Sequence, residues 1–167
     1  MNEATRRLLF LLLFAVVFFQ TGVHVSQAFI NYPAWGFIGR DSFPEYHRVM
    51  TGGARAFGLL PRVVELVLAI AVLYFRPAVI KRWMLVLAIT LALCALLSTV
   101  FIQRPIHVQL EAVGNTPELL SRLRTTGWLR LIPEWLRAIL YLWMMSLLLR
   151  PKAQIVEASN TSAERAA

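Results

Sequence analysis

Four polar residues near the end of the first apolar stretch have the spacing of one helical face. They are Gln20, His24, Gln27 and Asn31. Steps of four, three and four residues place them on one side of a helix. An unpaired polar group in hydrocarbon costs about 2 to 7 kcal/mol, so these side chains need partners on other helices. His24 is the member of the set that could carry a proton.

Charged residues in two other apolar stretches could supply those partners. Arg62 and Glu65 lie three residues apart in the second stretch. A set in the fourth stretch again has the spacing of one helical face and consists of Arg130, Glu134, Arg137 and Tyr141. Glu134 could pair with Arg130 or with Arg137 along that face. An isolated charge near mid-membrane costs about 3 kcal/mol, so pairing would lower the cost of burying these groups.

The elements that must position these residues are membrane-spanning helices. Hydrophobic residues make up 58% of the 167 residues, and the mean hydropathy is +0.62, which is too apolar for a soluble domain of this length. Crossing a bilayer takes roughly 20 helical residues, and four stretches qualify: 8–29, 59–75, 83–102 and 128–149. We therefore predict an all-α integral membrane protein. Residues 1–152 would form an antiparallel bundle of four transmembrane helices, and 153–167 a disordered polar tail.

A short interfacial helix is expected in each of the two longer loops. Pro44 could begin one that covers residues 45–50, because proline is well tolerated in a first helical turn. Thr116 could cap a second one over residues 119–124, which would end before the fourth span begins. Both loops are expected on the outer side of the membrane.

Antiparallel threading would bring the polar halves of all four helices to the same, non-cytoplasmic side. The inner halves contain Leu, Val, Phe and Met, so we expect a sealed apolar base and a polar cavity in the outer half. The residues predicted to act catalytically in this cavity are His24, Glu65, Glu134 and Arg137. Those predicted to contact the substrate are Gln20, Gln27, Asn31, Trp35, His47, Arg62, His107, Arg130 and Tyr141.

A structural role is an open alternative for each of these groups. The charged residues could form an ion-pair network that joins helix ends, and His24 could simply bind a carboxylate or a carbonyl. His47 and His107 could be ordinary surface histidines, and Trp35 could belong to an interfacial aromatic belt. The sequence alone does not decide between a reactive site and a structural network.

No tightly bound cofactor is predicted, although haem, quinone and metal stay open. No His-x-x-His or Glu-x-x-His spacing places two metal ligands on one helical turn. Cys94 is the single cysteine, which excludes a disulfide or a thiolate cluster within the chain. The net charge of +8 comes from basic residues that border the apolar stretches. We therefore expect membrane lipids, and not nucleic acid, as their partners.

Both termini are expected on the cytoplasmic side. The tails and the connector at 76–82 carry eight Lys and Arg residues, against six in the two longer loops, and basic residues favour the cytoplasmic side. The N-terminus also resembles a secretory signal, with two arginines before an apolar segment and a Ser-Gln-Ala cleavage site. Because the apolar character continues past Gly22, we expect the first helix to be retained.

Short motifs that combine prolines, aromatic residues and histidines recur between residues 8 and 149. They are Asn31-Tyr32-Pro33-x-Trp35 with Gly39, Phe43-Pro44-x-Tyr46-His47, Arg76-Pro77, Pro105-Ile106-His107, and Trp128-x-Arg130 followed by Arg137. This set resembles small four-span bacterial membrane proteins related to the anthrone oxygenase-like family. The resemblance implies a four-helix fold in a bacterial cytoplasmic membrane and a lipophilic substrate, since characterised relatives are associated with cofactor-independent oxygenation of polycyclic anthrones. Pro133 departs from the family pattern and leaves the register of the fourth helix open.

The first functional interpretation is a membrane enzyme that acts on a lipophilic, ring-bearing small molecule, as an oxygenase, isomerase or cyclase. Glu65 or Glu134 with His24 would move a proton, and an arginine would stabilise an oxyanion. The alternative is a non-catalytic subunit that binds a quinone, haem or pigment, or braces a larger membrane complex. A homo-oligomer is compatible with both. A transporter fits less well, because the sequence shows no inverted repeat.

Overall fold

The structure of the chain is a computed structural model that describes residues 1–150, except for the side chains of 54–56. This described part is helical and contains no strand. Its α-helices are α1 (Glu3–Ser26), α2 (Tyr32–Ala34), α3 (Phe43–Ala54), α4 (Leu60–Tyr74), α5 (Arg82–Ser98), α6 (Arg104–Val113) and α7 (Pro117–Leu149). The predicted polar tail at 153–167 lies outside the described residues.

Four continuous helical stretches are long and apolar enough to cross a membrane. They are Glu3–Phe37, Phe57–Tyr74, Arg82–Val113 and Pro117–Leu149. The prediction of an all-α chain with four stretches of membrane-spanning length is therefore confirmed. Each helical stretch is longer than the apolar segment predicted from the sequence, because it extends beyond that segment at one or both ends.

The predicted loop helices have different outcomes. The first exists as α3, which begins at Phe43 and is longer than expected. The second is not a separate helix, because α7 runs unbroken from Pro117 to Leu149. The Thr116 side chain accepts a hydrogen bond from the Leu119 amide, so the predicted cap begins α7 itself. Thr126 donates to the Arg122 carbonyl at 2.8 Å and stays within the helix where a break was expected.

An apolar core joins the four long helices at the end that contains the chain's N-terminus. Its buried members are Phe10, Leu13, Val17, Ala69, Val72, Ile80, Met84, Leu85, Ala88, Leu140, Tyr141, Met144 and Leu148. α1 packs against α4 and α7, and α5 packs against the same two helices. α4 and α7 therefore face each other across the diagonal of the arrangement. This core is the apolar base that the hydrophobic inner halves predicted.

A second core lies at the opposite end, where α3 covers the other helices. It consists of Tyr32, Trp35, Phe43, Ile106, Leu110, Leu120 and Leu123. We call α3 the cap, because its Phe43 side chain is fully buried in this core. Asn115 joins the two longer loops, since its side-chain amide donates to the Trp35 and Ile38 carbonyls, each at 2.7 Å. Two loops distant in the sequence thus form one packed layer.

Three π-helical turns interrupt the long helices, and each is followed by a proline. The turns are Gln27–Asn31, Arg55–Leu59 and Thr99–Gln103, and the prolines two residues beyond them are Pro33, Pro61 and Pro105. Proline lacks an N–H and its ring crowds the carbonyl four residues earlier, so widening the preceding turn relieves the clash. A π turn holds about one extra residue, which rotates the helix beyond it by roughly 100° relative to a regular α-helix.

Candidate functional site

Two arginines and two glutamates from α4 and α7 form a closed ring of ion pairs. Arg62 Nη1 donates to Glu65 Oε2 at 2.7 Å, and the other guanidinium arm of Arg62 donates to Glu134. Arg137 donates to both Glu65 and Glu134. Each of the four carboxylate oxygens therefore accepts an arginine N–H. We call these four residues the ring.

The ring is buried and carries no net charge. None of its four residues is more than 5% exposed. A buried ion pair is tolerated when opposite charges and hydrogen bonds are matched, and here two positive charges meet two negative ones. The prediction that Glu134 could pair with Arg137 agrees with this geometry. The alternative pairing with Arg130 is not found among the described residues, and the second arginine at Glu134 is Arg62 of α4.

His24 of α1 lies against the ring. Its Nδ1 is 3.2 Å from Glu134 Oε1, and its side chain keeps 11% of its surface exposed. The contact is close enough for an ion pair but is not aligned as a hydrogen bond, since Nδ1 has no hydrogen-bond partner among the described residues. A carboxylate this close to an imidazole favours the protonated form of the ring. His24 and Glu134 thus have the arrangement of a proton-carrying pair.

A second polar chain runs from the cap to Arg130. His47 Nε2 lies 2.9 Å from His107 Nδ1, and His107 Nε2 lies 3.4 Å from the Tyr32 hydroxyl. Arg130 Nη2 donates to the same hydroxyl at 3.2 Å. Trp35 packs edge-on against both histidine rings, with ring centroids 5.3 and 5.8 Å away. The histidines are therefore part of the packed second core.

The hydrogen bonds of this chain have a favoured order when both histidines are neutral. The Tyr32 oxygen accepts from Arg130, so its own O–H can donate to His107 Nε2. The other nitrogen of His107 then carries its hydrogen and donates to His47 Nε2. Among the histidine nitrogens, this order leaves one N–H without a partner in the described residues, that of His47 Nδ1, which is buried. In the reverse order, the Tyr32 hydroxyl hydrogen would have no acceptor, and the lone pair of His47 Nδ1 would have no donor.

Lowering the pH from about 7.5 to 5 is expected to loosen the cap. Burial lowers the pKa of His47 below its ordinary value of 6.5, although nearby Glu111 opposes the shift. A histidine with a lowered folded-state pKa contributes full stability above its unfolded pKa and loses it as the pH falls toward the folded value. His107 faces His47 but is not an anion, so it cannot stabilise the positive charge of a protonated His47. The fluorescence of Trp35, taken as the difference from a Trp35→Phe variant, should report the change.

His47→Gln is the control for this pH response. The glutamine does not titrate, so the fluorescence of this variant should depend much less on pH between 7.5 and 5. An equal response in wild type and His47→Gln would show that the cap does not titrate through His47.

The remaining residues of the predicted site lie away from the ring. Gln20 is fully buried and donates to the Gly58 carbonyl at 2.9 Å. Gln27 and Asn31 are half-buried and line a groove of about 430 Å³ on the outer face of α1, together with Gly22 and Ser26. The four-residue stripe of α1 therefore divides at the π turn. Its first half faces inward, and its second half does not.

Tyr141 and Tyr32 show the limits of the predicted set. Tyr141 is buried in the apolar base, with its ring centroid 5.9 Å from that of Phe10, so it packs on the base side of the ion-pair ring.

Tyr32 was not predicted as a site residue, yet its hydroxyl connects Arg130 to the histidines. Its place next to Asn31 in a polar-aromatic-proline motif is the signal that could have identified it.

Candidate metal ligands in the described residues are His, Cys, Asp and Glu side chains. In this part of the chain, no group of three His, Cys, Asp or Glu side chains lies close enough together to hold a metal ion.

No protein-family model, curated protein or solved structure matches the chain.

Proposed function

We propose that this chain is an integral membrane enzyme that moves protons on a lipophilic, ring-bearing small molecule. In this proposal the four long helical stretches cross a bacterial cytoplasmic membrane as an antiparallel bundle, with both termini in the cytoplasm. The apolar core then forms the cytoplasmic half, and the ring and cap lie in the outer half. The lengths and hydropathy of the four stretches support this arrangement.

The observation that carries the proposal is the contact between His24 and Glu134. Glu134 is fixed by two arginines, so its carboxylate stays next to the imidazole at 3.2 Å. An imidazole held in this way can take a proton from a substrate C–H or O–H and return it to another atom, with Glu134 stabilising the imidazolium. His24 is the proton carrier in this scheme, and Glu134 is a positioning residue.

The ring excludes some of the catalytic roles that the sequence allowed for its own four residues. Every oxygen of Glu65 and Glu134 already accepts an arginine N–H, so neither carboxylate is free to act as a general base. Arg62 and Arg137 are committed to the ring in the same way. Arg130 is the buried cation that remains available to an oxyanion. An isomerase or cyclase would need only these proton transfers, whereas an oxygenase would also consume dioxygen.

The closed ring also favours a second candidate, a non-catalytic membrane subunit. A neutral, fully hydrogen-bonded ring between two diagonal helices is what a structural brace requires. Such a subunit would bind a quinone, haem or pigment, or support a larger membrane complex, as a monomer or as a homo-oligomer. It would not exchange substrate hydrogen with water.

Hydrogen exchange in heavy water distinguishes the two candidates. Purified protein in lipid discs is incubated in D₂O with a lipid extract of the producing cells, and the extract is compared with one treated with empty discs by mass spectrometry. The enzyme proposal predicts that at least one lipophilic compound gains deuterium or is converted only when the protein is present. If no compound differs from the empty-disc sample, the enzyme proposal is wrong and the subunit becomes the better explanation.

A further inference from the structure

Arg130 is a buried cation without a carboxylate partner. Its residue is only 5% exposed, and no carboxylate oxygen of the described residues lies within the 4.0 Å of an ion pair. Its Nη2 donates to the neutral Tyr32 hydroxyl at 3.2 Å, and its Nε has no hydrogen-bond partner in the part of the chain that the structure describes. Buried charges are normally paired, because an uncompensated one is strongly unfavourable.

The surrounding groups do not supply the missing negative charge. The ring is neutral by itself, since two guanidinium groups face two carboxylates, so Arg130 adds one positive charge to the region. The nearest partners on the other side are the Tyr32 hydroxyl and, beyond it, His107. Neither is an anion. One negative charge would make the whole region neutral.

Among the described residues, a second buried donor without a partner lies next to Tyr32, the residue that Arg130 contacts. The indole N–H of Trp35 is buried and unpaired, and its ring centroid is 5.0 Å from that of Tyr32. Trp35 is 2% exposed. Two hydrogen-bond donors near Tyr32 are therefore unused, namely the charged Arg130 Nε–H and the Trp35 indole N–H. An oxygen acceptor with negative charge matches this set, whereas a cation or an apolar group does not.

We infer that Arg130, with Tyr32 and Trp35 beside it, binds the single negative charge of a lipophilic acid. The inference rests on the proposed function, because it names the substrate class of the same site. The charged oxygen would accept hydrogen bonds from Arg130. An anionic phospholipid headgroup offers the same chemistry as a free acid, so the experiment must separate these two sources.

The test measures binding of a fluorescent polyene fatty acid and of its uncharged methyl ester. Protein is held in phosphatidylcholine discs at pH 8 and 0.3 M salt, where the acid is ionised and surface charge is screened. Empty discs give the background partitioning. One charge-assisted hydrogen bond corresponds to a preference of about tenfold or more. Wild-type protein is expected to bind the acid at least about tenfold more tightly than the ester.

Arg130→Gln should reduce that preference to about twofold or less, because the amide can still donate to Tyr32 but has no charge. Arg130→Lys keeps the charge and should keep most of the preference. Arg124→Gln is the matched control, since Arg124 is an exposed arginine on the same helix, and it should behave as wild type. Equal binding of acid and ester by wild type, or an unchanged preference in Arg130→Gln, overturns the inference. If Arg130→Gln fails to fold, the wild-type ratio still decides.

Discs of phosphatidylglycerol identify the source of the anion. If a lipid headgroup occupies the site, this anionic lipid should compete and lower the acid preference of wild type about fivefold or more. If the site takes a free acid, the preference should stay the same at 0.3 M salt. The binding assay involves no turnover. Its failure therefore leaves the hydrogen-exchange result standing, and a negative exchange result leaves the binding preference standing.

Discussion

Glu134→Gln is expected to lower the free energy of unfolding by about 3–5 kcal/mol. The substitution keeps the size of the side chain but leaves Arg62 and Arg137 with only Glu65 between them. Removing one member of a buried ion-pair set has a cost of this size, because it leaves a charge without compensation. Chemical unfolding in detergent, followed by circular dichroism, measures the change.

Two further variants show whether the loss comes from the ring. Glu118→Gln removes an exposed glutamate from the first turn of the same helix and should cost less than about 1 kcal/mol. Adding Arg62→Gln to Glu134→Gln restores the balance of one positive and one negative charge, so part of the lost stability should return. Wild-type stability in Glu134→Gln would mean that the four residues do not form a ring in the folded protein.

His24→Gln is expected to slow the conversion found in the hydrogen-exchange experiment by about 10² to 10⁴-fold. This is the usual contribution of a general acid or base. Glutamine keeps a polar group near Glu134 but cannot carry a proton at neutral pH. Because the substitution removes a step and not a binding contact, kcat should fall much more than KM changes. Steady-state rates in discs, with mass-spectrometric detection, measure both constants.

Gln27→Ala is the matched control for His24. Gln27 is a polar residue of the same helical stretch, but it lines the outer groove and not the ring. Its replacement should change the rate by less than about twofold. A His24→Gln protein that is folded and retains wild-type turnover would remove His24 from the mechanism.

The sequence was sufficient for the fold class because length and hydropathy determine it. Runs of about 20 apolar residues require helices, and the four stretches were recognised on this basis. Helical spacing also identified which residues of α7 share a face. It could not choose between Arg130 and Arg137 as partners of Glu134, because that choice depends on Arg62, which approaches from a helix 72 positions away in the sequence.

The π turns explain most of what the spacing predicted incorrectly. A regular α-helix would place Asn31 on the same inner face as His24. The π turn at Gln27–Asn31 instead moves Asn31 outward and brings Tyr32 and Trp35 inside. The local signal was present, since a phenylalanine stands four residues before each of the three prolines that follow a π turn. Leu129 and Pro133 have the same separation without a π turn, so proline alone does not determine one.

The histidine pair could not be predicted because it joins two helices, α3 and α6, that are far apart in the sequence. His47 and His107 are 60 positions apart, and nothing in their local sequence indicates that they meet. Burial of the cap against α6 brings them together. Surface exposure was the natural expectation for each histidine considered alone. The structure instead buries His47 completely and leaves His107 partly buried.

Each helix of the ring contributes one arginine and one glutamate, three residues apart: Arg62 with Glu65, and Glu134 with Arg137. A newly made segment can therefore neutralise its own charges before it meets the other. For a chain inserted into a bilayer this matters for biogenesis, because a bare charge raises the cost of moving a helix into lipid. The ring would then assemble laterally, as each pair keeps its own contact and adds one contact from each arginine to the glutamate of the other helix.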